Sequence, residues 1–399
     1  MHPFQGGETH AKIRLNHLLT SGFLTTYPST YNGLLDIDST SKLSGYLALG
    51  CITSRQIHAS LAAFEDGAST PETKDWKGAP GFGGGENKGT IRMRVELLWR
   101  DYTRQCTRKF GQRLFCLRGF KQVEGVEHTW ARPDKPLKGQ NKEQVTEMLE
   151  RFLNGTTGMG LIDASQREIY LTGYTSNRAR LNTVSFLVNH LCIDWRWGAE
   201  WYEYLLVDYD VSSNWGNWQY GAGVGNDPRG RRILNPVKQA LEYDPKGEYI
   251  KTWVPETRGL TNLGEIFQPW TCRDETLKKE TGLQGLNWVE EPLKKIDFKF
   301  GLQKHVGGGW GDTRARGQGG DKSSRGLGGL RGRGSGGGRG RIGRGRGRRG
   351  MGYERSIGGS DRYSGGSEKD DGDVEAKGSG SIRNQSEVPS VPHRRCSCP

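Results

Sequence analysis

The chain has 399 residues, 33% of them hydrophobic, a formal net charge of +13, a pI near 9.4 and a mean hydropathy of −0.74. This is poor in apolar content for a wholly globular protein, basic enough to favour polyanions, and without any run near 18 apolar residues that would cross a membrane. The seven cysteines at 51, 106, 116, 192, 272, 396 and 398 form no CxxC pair and follow no secretory signal, which excludes a disulfide scaffold and fits a reducing compartment; Cys396 and Cys398 lack the nearby histidines of a metal site, so no metal is expected.

Up to about residue 305 the apolar content is regular and sufficient for one sizeable core. The first motif is Thr40-Ser41-Lys42-Leu43-Ser44, after a loop over 32–39. Hydroxyls, a cation and free backbone N–H groups at a helix start suit a pyrophosphate, although Ser or Thr before an apolar run is also an ordinary N-cap. Ile91, Val95, Leu98 and Tyr102 recur at helical spacing, and Glu96, Trp99 and Arg100 share one face of the same helix. A buried carboxylate there would need a partner, whereas a surface Glu–Arg pair would not. Val145, Met148, Leu149 and Phe152 mark another helix, as do Leu181, Val184, Leu187, Val188 and Leu191. Glycine-rich stretches at 77–85 and 219–225 interrupt the helical pattern. Neither strand alternation nor strand–helix repetition is present, so the fold is expected to be mainly α.

Residues 173–254 concentrate tryptophans with Asn177, Arg180, Asp208, Tyr209, Asp210 and Asn214, a set able to hold and wire a large aromatic cofactor. From Gly307 onward a packed core is implausible, because glycine has no side chain to bury and the most backbone entropy to lose. The expected organisation is a helical domain over 1–305 and a disordered Gly/Arg-rich tail over 306–399. Within the tail, 314–349 holds eleven arginines against one lysine and one aspartate. Its RGR and GRG repeats, with Tyr353 and Tyr363 beyond, point to RNA or single-stranded DNA as a partner, and the acidic run 368–373 could fold back on them.

The segment 173–254 resembles the flavin-binding core of the photolyase/cryptochrome family, with wording nearest the DASH cryptochromes. The likeness begins at Phe4-Gln5-Gly6-Gly7-Glu8, runs to Pro255 and fades by Trp270; it is weakest over 121–154. It implies a photolyase-like helical FAD-binding domain and assigns roles position by position. Residues 40–44 would wrap the FAD diphosphate, with Tyr27 also at the phosphates. Arg100 would lie against the flavin, Arg180 and Asp208 would form a salt bridge at the ring, Tyr209 and Asp210 would adjoin the cofactor, and Asn214 would face N5. Glu96, Trp99, Asn177, Tyr220 and Gln239 would contact the DNA lesion. Trp130, Trp195 and Trp218 would carry electrons, with Trp130 the surface-exposed end.

Tyr220 stands where photolyases of double-stranded DNA usually carry tryptophan, which favours single strands. Arg229, Arg231 and Arg232 add positive charge or form a solvated run. Full-length members carry an N-terminal α/β domain for an antenna pigment; this sequence shows no counterpart, so a folate-type antenna is not expected. The implied function is blue-light-driven electron transfer with repair of cyclobutane pyrimidine dimers in single-stranded DNA. Alternatives are a blue-light photoreceptor without repair, or an RNA- or single-strand-binding protein with a non-functional flavin pocket. An intracellular location, nucleus or mitochondrion, is expected.

Overall fold

The computed structural model describes residues 4–71 and 73–298. The expectations for the Gly/Arg tail and for Cys396 and Cys398 fall outside the described residues. Among these there is no named strand, only the isolated bridges Ala131–Ile193 and Arg132–Lys135, so the mainly α reading holds. No described helix is long and apolar enough to cross a membrane.

The helices are α1 (Glu8–Thr20), α2 (Phe23–Thr30), α3 (Ser44–Ala48), α4 (Ser54–Glu65), α5 (Lys88–Phe110), α6 (Lys142–Leu153), α7 (Gly160–Thr172), α8 (Asn177–Ser185), α9 (Trp195–Leu205), α10 (Val211–Ala222), α11 (Pro236–Tyr243), α12 (Glu248–Trp253), α13 (Leu263–Phe267), α14 (Glu275–Thr281) and α15 (Asn287–Glu290). Several starts are written in the sequence as reciprocal caps: Thr53 with Gln56 for α4, Asn87 with Thr90 for α5, and Asn141 with Gln144 for α6. In each the first residue's side chain accepts an orphan N–H, while the side chain three positions on accepts from the first residue's backbone N–H.

Two apolar cores result. One gathers Leu18, Leu24, Ile57, Leu61 and Phe64 from α1, α2 and α4; the larger gathers Phe152, Leu187, Trp195, Trp218, Ile250 and Phe267. Helix α5 spans both, giving Met93 and Leu97 to the first and Cys106 to the second. This places the middle of α5 at the seam between the cores.

The helix marked by Ile91, Val95, Leu98 and Tyr102 forms as α5, with those four residues facing outward at 43%, 42%, 64% and 43% exposure. The buried face uses Gly89, Thr90, Met93, Leu97, Thr103 and Cys106 instead. Small residues win there because the neighbouring backbone comes very close; a Cβ at Gly89 would lie 1.5 Å from the Leu24 carbonyl oxygen. The glycine-rich stretch 219–225 does end α10, at Gly223, whose φ of +82° is in the left-handed region. Gly221 remains inside α10 because Val184 of α8 packs against it.

Candidate functional site

The 40–44 segment is set by a residue the sequence reading missed. Arg14 of α1, itself buried, donates from Nε to the Ser41 carbonyl at 3.0 Å and from Nη2 to the Thr40 carbonyl at 3.2 Å, and pairs with Asp38 at 2.6 Å. Lys42 follows with φ of +55°, a left-handed backbone unusual for a side-chain-bearing residue. Its Nζ lies 4.3 Å from the centre of the Tyr174 ring, and Thr40 Oγ1 is 3.3 Å from the Tyr174 hydroxyl. Leu43 enters the smaller core, and Ser44 opens α3 on the surface.

Tyr174, also missed, links this segment to α8. The Arg180 guanidinium lies 5.6 Å from the same ring. Arg180 Nη2 donates to both Asp208 carboxylate oxygens, at 3.0 and 2.8 Å, with Asp208 only 4% exposed. The expected Arg180–Asp208 pair is therefore formed. Asp210 caps α10 through the Ser213 N–H at 2.9 Å and pairs with Arg104 at 2.7 Å and Arg100 at 4.0 Å. Burial opposes the Asp210 charge, but the Ser213 and Arg104 bonds prevail and hold the carboxyl below its ordinary range. Arg104 was not anticipated, because one helical turn beyond Arg100 it carries no motif of its own.

Tyr27 is buried against Phe23, with ring centres 4.7 Å apart. Its hydroxyl has Ser41 as a hydrogen-bond partner and feels the charges of Glu96 and Arg92. Glu96 pairs with Arg92 at 2.5 Å, not with Arg100. Burial pushes the Glu96 carboxyl above the usual range while Arg92 pulls against it. Arg92 also lies 4.1 Å over the Tyr31 ring, and its Nε is buried without a partner. Asn214 is 8% exposed and donates from Nδ2 to the Ala199 carbonyl at 2.9 Å. Tyr209 packs on the larger core, its hydroxyl beside Glu203 and Trp215.

On the outer side of α5, Trp99 meets Tyr220 edge-on at 5.6 Å and Tyr102 at 5.3 Å, and donates to Asn217 Oδ1 at 3.3 Å. Arg229 and Arg232 both donate to the Tyr220 hydroxyl, and both are held by the buried Asp227 carboxylate. Asn177 is exposed at the first turn of α8. Gln239 is 9% exposed, accepts from Arg178 at 3.3 Å and donates to Glu242 at 3.4 Å.

Trp195 and Trp218 are fully buried and share the larger core with Trp130. The expectation of a surface-exposed Trp130 is corrected: it is 3% exposed. The Ala131 N–H bonds the Cys192 carbonyl at 2.7 Å, drawing this segment onto the turn before α9. Two aromatic neighbours were missed: Trp215, edge-on to Trp195 at 5.8 Å, and Tyr202, edge-on to Trp218 at 5.1 Å.

The donor set suits a flavin dinucleotide. Lys42 with the hydroxyls of Thr40, Ser41 and Tyr27 matches a diphosphate. The Arg180–Asp208 pair offers a fixed field to a ring edge, and the orphaned Arg92 Nε is a donor awaiting an acceptor. Among the described residues no cluster of three metal ligands occurs.

The fold and this donor set define a helical flavoprotein domain, and the family model for the FAD binding domain of DNA photolyase matches residues 93–293, half of the chain. The chain belongs to the photolyase/cryptochrome family. It is 56% identical over 310 residues to a Neurospora crassa protein provisionally named a mitochondrial cryptochrome DASH, covering 75% of this chain and 41% of that protein. It is 36% identical to cryptochrome DASH of Xenopus laevis, covering 79% and 55%. The Synechocystis cryptochrome structure superposes with a TM-score of 0.59 at 38% identity, covering 72% of this chain and 55% of that one. A class III photolyase from Agrobacterium tumefaciens gives 0.55 at 27% identity, covering 70% and 51%. The chain spans about half the length of the curated relatives it matches.

Proposed function

We propose that the domain holds FAD, moves electrons under blue light, and repairs cyclobutane pyrimidine dimers in single-stranded DNA. The observation that carries this reading is one stretch of α5: Glu96 pairs with Arg92 over the Tyr31 ring, Arg100 approaches Asp210, and Trp99 packs on Tyr220. Cofactor-facing and substrate-facing groups are thereby joined rigidly.

When bound, FAD absorbs blue light and supplies the electron. The chain's own residues do the remaining work. Lys42 and the Thr40 and Ser41 hydroxyls neutralise and orient the diphosphate. Arg180, fixed by Asp208, presents a positive charge without reorganising. Exposed Trp99 and half-buried Tyr220 give an aromatic platform for an unstacked base, and Asn177 holds it from the start of α8. Glu96, its carboxyl pushed upward by burial against the pull of Arg92, offers a hydrogen-bonding group to a base. Arg229 and Arg232 beside the Tyr220 hydroxyl attract strand phosphates. Trp218, Trp195 and Trp130 supply oxidisable rings through the core.

The arginine-rich segment 314–349 adds a sequence-independent, salt-sensitive hold on RNA or single strands. The Neurospora relative's name favours the mitochondrion over the nucleus. The test is dimer loss from an irradiated oligothymidylate by the FAD-loaded chain under blue light. Glu96→Ala should slow repair by roughly a hundredfold, and undiminished repair in that variant would overturn the role of Glu96.

A further inference from the structure

We propose that Arg231 caps Trp130 and controls how readily that indole loses its proton after oxidation. The proposal rests on the reading of Trp130 as the outer electron donor.

Trp130 Nε1 donates to the Val188 carbonyl at 3.0 Å, and Arg231 Nη2 donates to the same oxygen at 2.8 Å. Arg231 Nε bonds Asn189 Oδ1, and its guanidinium carbon lies 5.9 Å from the centre of the Trp130 ring. The shared acceptor sits in Phe186–His190, a wide π turn whose geometry frees carbonyls from the ordinary helical ladder. The loop bearing Arg231 is fastened to that turn. Asn189 Nδ2 donates to the Arg232 carbonyl at 3.1 Å, the Leu234 N–H to Ser185 Oγ at 2.9 Å, and His190 Nε2 lies 2.8 Å from the Leu234 carbonyl. Arg231 itself is exposed, so it stands between the buried indole and solvent.

In the electron path, one electron leaves the Trp130 ring and returns the oxidised Trp195 ring to neutral indole. Trp130 is left as a radical cation. It then either recovers an electron from the inner chain or releases its Nε1 proton to solvent water, leaving a neutral radical. The Val188 carbonyl accepts a hydrogen bond but takes no proton at neutral pH, and burial keeps water from the N–H. A guanidinium fixed beside the ring also opposes the positive charge on it. Both effects favour electron return, so Arg231 acts as a brake on stable charge separation.

The test uses the purified FAD-loaded full chain and the variants Arg231→Gln and Trp130→Phe. Acrylamide quenching of tryptophan fluorescence, with the Trp130→Phe signal subtracted, isolates Trp130. Its quenching constant should rise by about twofold or more in Arg231→Gln as the cover is removed. Laser-flash absorption with a thiol reductant should show a longer-lived neutral tryptophan radical and a several-fold higher yield of flavin reduction. If Trp130→Phe leaves photoreduction intact, the electron path ends elsewhere and the reading beneath the proposal fails. If Trp130→Phe abolishes photoreduction while Arg231→Gln alters neither quenching nor yield, the cap alone is overturned.

Discussion

Gly198 of α9 lies directly against the Trp218 indole: a Cβ at position 198 would sit 2.1 Å from the ring atom Cη2. Trp218 is 1% exposed and is backed by Tyr202, with ring centres 5.1 Å apart, so it has nowhere to retreat. Gly198→Ala should therefore destabilise by about 1–3 kcal/mol through overpacking, despite alanine's better helix propensity. A lowered urea midpoint at unchanged slope is the expected result; a midpoint equal to or above the parent's would contradict the contact.

The Arg180–Asp208 pair yields a separable prediction. Asp208→Asn preserves volume but leaves Arg180 without its counter-charge, a loss of the order of 3 kcal/mol for a largely buried pair. Arg180→Lys keeps the charge but changes the fork that meets the carboxylate. Both variants should lose bound flavin on gel filtration, Asp208→Asn with the lower melting temperature. Full flavin retention in both would remove the pair from the cofactor site.

Acid stability has a definite sign. Arg94 donates to Glu65 Oε1 at 2.6 Å and to Oε2, and this bonding, against the effect of burial, holds the Glu65 carboxyl below its ordinary value of 4.5. Because the folded value lies below the unfolded one, the stabilisation is complete above the ordinary value and is lost as pH falls through the folded value. Asp227 behaves alike: burial would raise it, but bonds from Arg229 and the charge of Arg232 prevail and lower it. Urea midpoints should be level near neutrality and fall in acid. Glu65→Gln should shallow that fall, and an acid limb identical to the parent's would refute the assignment.

Strand binding should separate stacking from charge. Trp99→Ala removes the partner of Tyr220 and should weaken single-strand binding by about 1–3 kcal/mol with little change in salt dependence. Arg229→Ala should instead reduce the salt slope by about one unit. Fluorescence anisotropy across a salt series distinguishes them, and equal salt slopes for parent and Arg229→Ala would exclude a phosphate contact there.

The helical class was legible because apolar spacing follows burial where side chains make the contact. In α6, Val145, Leu149 and Phe152 are all buried as the period requires. In α5 the same spacing marked the helix but not its buried face, where the close approach of the Leu24 backbone of α2 leaves room only for glycine at position 89. The Arg180–Asp208 pair was legible through family wording and is formed, whereas the edge-on packing of Trp99 on Tyr220, each expected only as a lesion contact, was not. Arg14 and Tyr174 were not, since their roles come from contacts across long sequence separations, 27 residues for Arg14 to Ser41 and 134 for Tyr174 to Thr40. The burial of Trp130 was hidden for the same reason: its cover comes from Arg231, more than a hundred residues further along the chain.

The most direct test of the flavin site is the visible absorption spectrum of the purified chain after incubation with FAD and gel filtration, in the dark and then under blue light with a thiol. The expected result is a co-eluting flavin band that bleaches on illumination and returns in air. A colourless protein, or bound flavin that stays unbleached, would contradict it.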